Sequence, residues 1–398
     1  MIFPLNDIRD IPRVALFADT FHEINGAALT CRQLEHYARS AAYPFLSIHA
    51  GQQTSSFCEG TVLTQEFKRF PLSFKLDDEL RYDPLFWRHL RQATRITRDF
   101  KADLVHITGL NDVGQIGASV AYRLGIPLIA SWHTNIHEFA ARRLDKFLFP
   151  FPANVRRAMT SFAAREILRG TIRFYKLAHT LLAPNKELVQ MLATSTSRPV
   201  FMMRRGIDTD LFSPAQRTVV NDGVIRLGFV GRIRPEKNVR LLAEVEKALV
   251  GDGITNFRFT IVGEGSERTW LEQNMRFADF AGVLTGEALA RAYANMDLFL
   301  FPSRTDTFGN VILEAMASGV PAVVTSDGGP KYIVQNGVTG MITDDDQAFI
   351  SAVKRLISDQ ERLRQMKIRS RKYAQEVTWA KIFDEIYQVY SFTLLNKS

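Results

Sequence analysis

The sequence predicts an α/β protein with two domains in tandem, each a doubly wound parallel sheet, and three observations predict it. Strand-like apolar runs alternate with helical patterns along nearly the whole chain. Those runs are continuous rather than alternating, as in parallel strands covered on both faces. The pattern is broken near 206–222, where Pro214, Asn221, Asp222 and Gly223 cluster without forming a low-complexity linker. A chain of 398 residues is long enough for two such domains at roughly 100–200 residues each.

In the first half, the run Arg13–Ala18 reads as a strand, followed by turn residues through Gly26 and a helix over 27–40. Further strands are expected at 45–49, 104–107 and 127–131, with helices around 87–99 and 115–124. The second half repeats the scheme: strands at 225–230, 257–262, 298–302 and 321–325, helices at 239–250, 267–275 and 309–317. The stretch 359–392 reads as helical, and Tyr373, Trp379, Phe383, Ile386 and Tyr390 are spaced for one buried face. The boundaries expected are an N-terminal domain over 1–205, a C-terminal domain over 206–378, and a terminal helix over 379–398 that returns to the first.

Hydrophobic residues make up 46% and charged residues 23%, which excludes collagenous, disordered and disulfide-scaffold classes. No apolar run approaches the ~20 residues of a membrane-crossing helix. The start, Met1 to Asp7, lacks the basic and apolar regions of a secretory signal. Cys31 and Cys58 have neither metal-site nor redox spacing, so a reduced, cytoplasmic setting is expected. The net charge of +8 lies wholly in the first half: residues 1–205 carry 27 Lys and Arg against 18 Asp and Glu, the remainder 23 against 24. That asymmetry fits an anionic partner, whether membrane surface, phosphorylated substrate or nucleic acid, and equally a solvated basic surface.

The strongest local signal runs from Phe229 to Asn238. A strand ends at Gly231, which permits close backbone approach. A tight loop carries Arg232 and Lys237, and a helix is expected after Asn238. Two cations at a strand's carboxyl end, beside a helix start, suit a phosphate or diphosphate; the plain alternative is two surface cations on a loop. A second signal spans Ser303–Ala315, where Asp306 falls in a loop and Glu314 about one and a half turns into the following helix. A carboxylate accepts hydrogen bonds from vicinal hydroxyls, as on sugar and ribose rings. Asp306 could instead cap the helix, and the apolar neighbours of Glu314 imply burial that needs a purpose. The turn Thr325–Pro330 could bring peptide N–H groups to a ligand, though most such turns are only turns.

In the first half, Asn25-Gly26-Ala27-Ala28 could let a diphosphate approach a helix start, but matches neither GxGxxG nor GxxxxGK[ST]. His133 follows a strand and is placed to meet a substrate, or to serve structure alone. His133, His137 and Glu138 lack the HExxH order, so no metal site is expected there.

Taken together, these segments resemble glycosyltransferase family 4, the nucleotide-sugar-dependent retaining transferases of GT-B fold, with two Rossmann-like domains facing across a cleft. The resemblance runs over Asp19–Gly26, Ser131–Thr134, Arg205–Asp208 with Phe212, Gly231–Asn238, Val262–Gly265, Asp306–Glu314 and Trp379. It implies that Arg232 and Lys237 bind the donor diphosphate, Glu314 the ribose, Asp306 the hexose hydroxyls and His133 the hexose near its C6 hydroxyl. It implies donor contacts from Gly26, Gly231, Phe308, Gly309 and Asn310. The stretch 280–284, with Val283, resembles the base-pocket segment. Two departures stand out: Asp306 where the family usually has Glu, giving D-x7-E, and Tyr332 where many members carry Glu.

The resemblance further implies transfer of a hexose, mannose or glucose, from a UDP- or GDP-linked donor to a hydroxyl acceptor, with no metal cofactor. The acceptor would be a sugar, lipid or glycolipid met by the basic first domain. Nine cations between Arg142 and Lys176, interleaved with Phe147, Leu148, Phe149, Phe151 and Phe162, fit an anionic membrane surface on the cytoplasmic face, or a helical elaboration with cationic faces. No nucleic-acid module is recognisable. Rival readings are a nucleotide-sugar epimerase of the same fold, and a non-catalytic sugar-nucleotide or membrane-binding protein; a phosphorylase lacks its pyridoxal lysine motif.

Overall fold

The computed structural model describes residues 11–23, 25–71, 73–77, 80–133, 153–220, 222–306 and 308–396. The chain forms two compact units. One comprises Met1–Arg204 with Ile382–Ser398, the other Arg205–Lys381.

The first unit is built on an eight-stranded sheet. Its strands are β1 (Val14–Ala18), β2 (Phe45–Gly51), β3 (Ser55–Glu59), β4 (Val62–Lys68), β7 (Leu104–Ile107), β8 (Leu128–Ser131), β9 (Thr180–Ala183) and β10 (Val200–Met202), while β5 (Phe74–Asp77) and β6 (Leu80–Tyr82) form a separate hairpin. The order is β10-β9-β8-β7-β1-β2-β4-β3. All neighbours are parallel except β3, which runs antiparallel to β4 at the edge. Helices α1 (Gly26–Ser40), α2 (Leu90–Asp99), α3 (Asp112–Leu124), α4 (Ala153–Tyr175) and α5 (Lys186–Thr196) belong to this unit. Every residue of β1, β7, β8 and β9 is buried, which explains why they are mostly apolar, with His106, Ser131 and Thr180 the polar exceptions. Each fully buried Leu, Val or Phe contributes about 1.5–3 kcal/mol. The Asn25 side chain caps α1 by accepting from the Ala28 N–H at 2.9 Å, and Asn185 caps α5 through Leu188 at 2.9 Å.

The second unit is a six-stranded, wholly parallel sheet. It contains β11 (Ile225–Val230), β12 (Phe257–Val262), β13 (Ala278–Gly282), β14 (Leu298–Phe301), β15 (Ala322–Thr325) and β16 (Gly340–Thr343), in the order β13-β12-β11-β14-β15-β16. Helices α6 (Arg240–Gly251), α7 (Arg268–Asn274), α8 (Gly286–Ala294), α9 (Asn310–Ala317), α10 (Asp346–Ser358) and α11 (Gln360–Glu376) belong to it. Winding reverses between β11 and β14 in this unit and between β1 and β7 in the first. In open α/β sheets, ligands bind at the strands' carboxyl ends beside such a reversal.

The terminal stretch is two helices rather than one face. The chain breaks at Val377 and Thr378, where the Ile207 N–H donates to the Val377 carbonyl at 3.1 Å and Ile207 pairs with Thr378. Gly206 makes this crossing possible, because a Cβ there would lie 2.5 Å from the Trp379 backbone nitrogen. Before the break, Tyr373 packs on the core of the second unit. After it, α12 (Trp379–Leu395) carries Phe383, Ile386 and Tyr390, all buried, and its residues from Ile382 onward belong to the first unit. There the Tyr390 hydroxyl bonds His106 Nδ1 at 2.8 Å, inside the sheet, and Thr393 bonds Thr180 at 2.8 Å. The aromatic spacing thus falls on two helices, Tyr373 in the core of the second unit and Phe383, Ile386 and Tyr390 in the first.

Candidate active site

The second unit concentrates the candidate residues at its winding reversal. After β11 the chain turns at Gly231, whose φ of 151° lies in the region that favours glycine. The loop that follows is pinned to the one after β12. The Gly231 N–H donates to the Val262 carbonyl at 3.0 Å, Ile233 N–H to Glu264 at 2.9 Å, and Glu267 N–H back to Ile233 at 2.9 Å. This contact requires glycine. A Cβ on Gly263, with φ 133°, would sit 1.9 Å from the Gly231 carbonyl oxygen, and one on Gly265 would sit 2.2 Å from that of Ile233. The Val262–Gly265 motif therefore works by holding the Arg232 loop. Arg232 is half-buried directly after the turn. Lys237 closes a 3-10 turn, Pro235–Lys237. Asn238 then takes φ 52°, so α6 starts at Arg240 rather than immediately after Asn238.

The loop after β14 lies next to it. Lys237 Nζ donates to Asp306 Oδ1 at 2.6 Å, with side chains only 12% and 21% exposed. The other carboxylate oxygen of Asp306, Oδ2, is buried and has no hydrogen-bond partner among the described residues. Leaving a buried acceptor unsatisfied costs about 1–3 kcal/mol, a cost that a hydroxyl donor brought to this oxygen would remove. Asp306 does not cap the next helix. That place belongs to Gly309, with φ 100° and no side-chain cap bond. The Thr325–Pro330 turn, read as a source of N–H groups for a ligand, gives one to the protein instead: the Gly329 N–H donates to the Asp306 carbonyl at 2.6 Å. A Cβ on Gly328 would lie 2.6 Å from that same oxygen. Phe308 packs half-buried on the core, and Asn310 opens α9; Thr307 lies outside the described residues.

Glu314 projects from α9 and accepts from the Tyr293 hydroxyl at 2.7 Å. Burial pushes its carboxyl up to about 7, and the Tyr293 hydrogen bond only partly opposes this. Tyr293 is fully buried on α8. It was not singled out from sequence, where an aromatic on an amphipathic helix reads as core. Val283, 65% exposed, lies just beyond β13, in which Phe280 is half-buried.

Gly26 and His133 belong to the first unit, at the carboxyl ends of β1 and β8. Gly26 is the first residue of α1, and its carbonyl accepts from Thr30 Oγ1 at 2.8 Å. The loop between β1 and α1 is anchored by Asp19. Its carboxylate accepts from the Asn111 N–H at 2.9 Å and the Gly114 N–H at 2.7 Å, at the start of α3. Burial, reinforced by the Asp112 charge, raises Asp19 to about 7. His133 is half-buried and follows Trp132, which is packed on Tyr175 at 5.1 Å. Residues Thr134, His137, Glu138, Arg142, Arg143, Lys146, Phe147, Leu148, Phe149 and Phe151 lie outside the described residues.

Two family models match the chain, one described as Glycosyltransferase Family 4 over residues 25–211, the other as Glycosyl transferases group 1 over 225–359. A GDP-mannose-dependent α-mannosyltransferase of Mycolicibacterium smegmatis is 32% identical over 312 residues, 76% of this chain and 77% of that one. The chain belongs to glycosyltransferase family 4. A second GDP-mannose-dependent α-mannosyltransferase, from Corynebacterium glutamicum, is 28% identical over 390 residues, 95% of this chain and 88% of that one. Among solved structures, sucrose-phosphate synthase from Thermosynechococcus elongatus superposes with a TM-score of 0.70 at 17% identity, covering 95% of this chain and 98% of that one. Anabaena HepE, solved with UDP and glucose, gives 0.64 at 16% identity over 96% and 99%. Those likenesses establish the GT-B fold. This family 4 member is a hexosyltransferase that uses a nucleotide sugar, and neither the epimerase nor the binding-protein reading is favoured. Among the described residues, no helix is long and apolar enough to cross a membrane.

Proposed function

We propose that the chain transfers mannose from GDP-mannose, with retention, to a hydroxyl of a lipid or glycolipid acceptor. The observation that carries the donor half is the Lys237–Asp306 pair at the winding reversal, with the buried Oδ2 left for a ligand. In this reading the diphosphate takes Lys237 Nζ and Arg232, and Asp306, released from Lys237, accepts from hexose hydroxyls. Glu314 takes the ribose diol, Gly231, Phe308, Gly309 and Asn310 frame the donor, and Val283 borders the base. Gly26 brings a peptide group to the diphosphate and His133 meets the hexose. The departing GDP gains negative charge, and two fixed cations stabilise that charge where it develops. They do the work that Mg2+ does elsewhere, so no metal is assigned to the chemical step. With no protein nucleophile assigned, the acceptor hydroxyl attacks the anomeric carbon from the face the diphosphate leaves, the bond from that carbon to the phosphate oxygen breaks, and the hydroxyl proton passes to that oxygen. The choice of mannose and guanosine follows the named donors of the two bacterial relatives.

The acceptor half is supported by α4. Val155, Met159 and Phe162 are 46%, 42% and 60% exposed, and their spacing places them on one face. Arg157, Arg165 and Arg169 lie on the same helix, all exposed. Apolar anchors beside cations suit an anionic lipid surface on the cytoplasmic face.

Equilibrium binding of GDP-mannose against UDP-glucose at pH 6 and pH 8 tests the donor reading. The sign follows from Glu314. The fold favours its neutral form, so unliganded stability falls as pH rises from 4.5 through about 7. A ribose diol bonds the ionised form, so affinity rises through the same point and then levels. GDP-mannose is expected to bind selectively, about tenfold tighter at pH 8 than at pH 6, and Glu314→Gln to flatten that dependence. Preference for UDP-glucose would contradict the donor assignment; a pH-independent affinity in the unaltered chain would contradict the role of Glu314.

A further inference from the structure

We propose that His22, His49 and Glu66 form a binding site for one divalent transition-metal ion of the zinc class, on the first unit. Their ligand atoms, two ring nitrogens and one carboxylate oxygen, all lie within 4.8 Å of one another. Strand register brings two of them together: His49 on β2 pairs with Glu66 on β4, and paired residues of neighbouring strands face the same side. His49 also pairs with Ala18, the last residue of β1, and His22 stands four residues further on.

His49 provides the second, independent observation. It is only 3% exposed, and neither ring nitrogen has a hydrogen-bond partner among the described residues. A histidine in the core ordinarily finds one. The ring is held flat against Phe21, centroids 3.9 Å apart and planes 5° apart, so its nitrogens keep their direction.

The other two ligands are also arranged. Glu66 Oε1 lies 2.9 Å from His22 Nε2, and its Oε2 accepts from Ser55 Oγ at 3.2 Å, an outer contact of the kind that orients a metal-bound carboxylate. Glu66 folds over Gly51, where a Cβ would lie 1.4 Å from Oε1. Zinc places nitrogen and oxygen ligands at about 2.0–2.2 Å, so ligand atoms already within 4.8 Å of one another need only side-chain adjustment to close on one ion. Two imidazoles and one carboxylate suit zinc or a neighbouring transition ion rather than Mg2+ or Ca2+, which take oxygen ligands. The ion would fasten the loop that leads to Gly26 onto β2 and β4.

Zn2+ titration of the untagged, EDTA-treated full chain, read by competition with a chromophoric chelator, tests this. The unaltered chain is expected to bind one Zn2+. His22→Ala and Glu66→Gln are each expected to weaken binding about tenfold or more, and His36→Ala, an exposed histidine on α1, to leave it unchanged. Both ligand variants spare the core position His49, so loss of folding does not cloud the result, and circular dichroism checks it. Binding unchanged in both ligand variants, or no Zn2+ bound by the unaltered chain, overturns the proposal.

Discussion

Replacing Lys237 by alanine is expected to lower kcat/KM about 1000-fold, roughly 4 kcal/mol of transition-state stabilisation, while the circular dichroism spectrum stays that of the unaltered chain. The loss falls mainly on kcat, because the charge on the departing diphosphate grows as the glycosidic bond breaks. Stability changes less than activity. Removing the lysine leaves Asp306 with its Oδ2 buried and unpaired, and losing one partner of a partly buried pair lowers stability; the 21% exposure of the Asp306 side chain limits that loss. The double variant Lys237→Ala with Asp306→Asn separates the two effects. It should restore any lost stability and recover no activity. Near-normal turnover in the single variant would sink the diphosphate assignment.

Gly263→Ala is expected to cost about 100-fold in kcat/KM without touching any ligand. Its Cβ would lie 1.9 Å from the Gly231 carbonyl oxygen, backbone against backbone, and its φ of 133° is strained for any L side chain by about 1–3 kcal/mol. The loop bearing Arg232 and Lys237 must then move away from β12. A displacement near 1 Å in a positioning element costs on the order of 100-fold in rate. The stability this variant loses, unlike that of the lysine variant, should not be restored by Asp306→Asn, and steady-state kinetics with melting curves distinguishes the two. Unchanged kinetics would show that the loop tolerates the shift.

Parts of this account were legible in the sequence because local rules sufficed. The strands at 104–107, 225–230 and 257–262 match to the residue, since each is a mostly apolar run, interrupted only by His106, Arg226, or Arg258 and Thr260, and bounded by polar or turn residues. The Arg232–Lys237 loop was visible because a strand end, a glycine and two cations are contiguous. What escaped was what register and packing decide. Strand β3 is exposed along most of its length, so it carries no apolar run to read. Asp306 could be read as a helix cap or as a sugar ligand. Only the approach of two loops 69 residues apart brings Lys237 to it. Tyr293 reaches Glu314 from the preceding helix, a contact that no spacing announces. His22, His49 and Glu66 are separated by 27 and 17 positions and meet only through the β1-β2-β4 register. Gly328 reads as part of a turn and Gly263 only as part of the family resemblance, yet each is set by a neighbouring carbonyl.

The most direct test of the central claim, that the winding reversal of the second unit holds the donor diphosphate, is a crystal structure of the chain grown with saturating GDP. The account predicts the diphosphate within hydrogen-bond distance of Lys237 Nζ and Arg232, the ribose diol on Glu314, and Lys237 drawn off Asp306. Nucleotide bound elsewhere with the Lys237–Asp306 pair intact would contradict it.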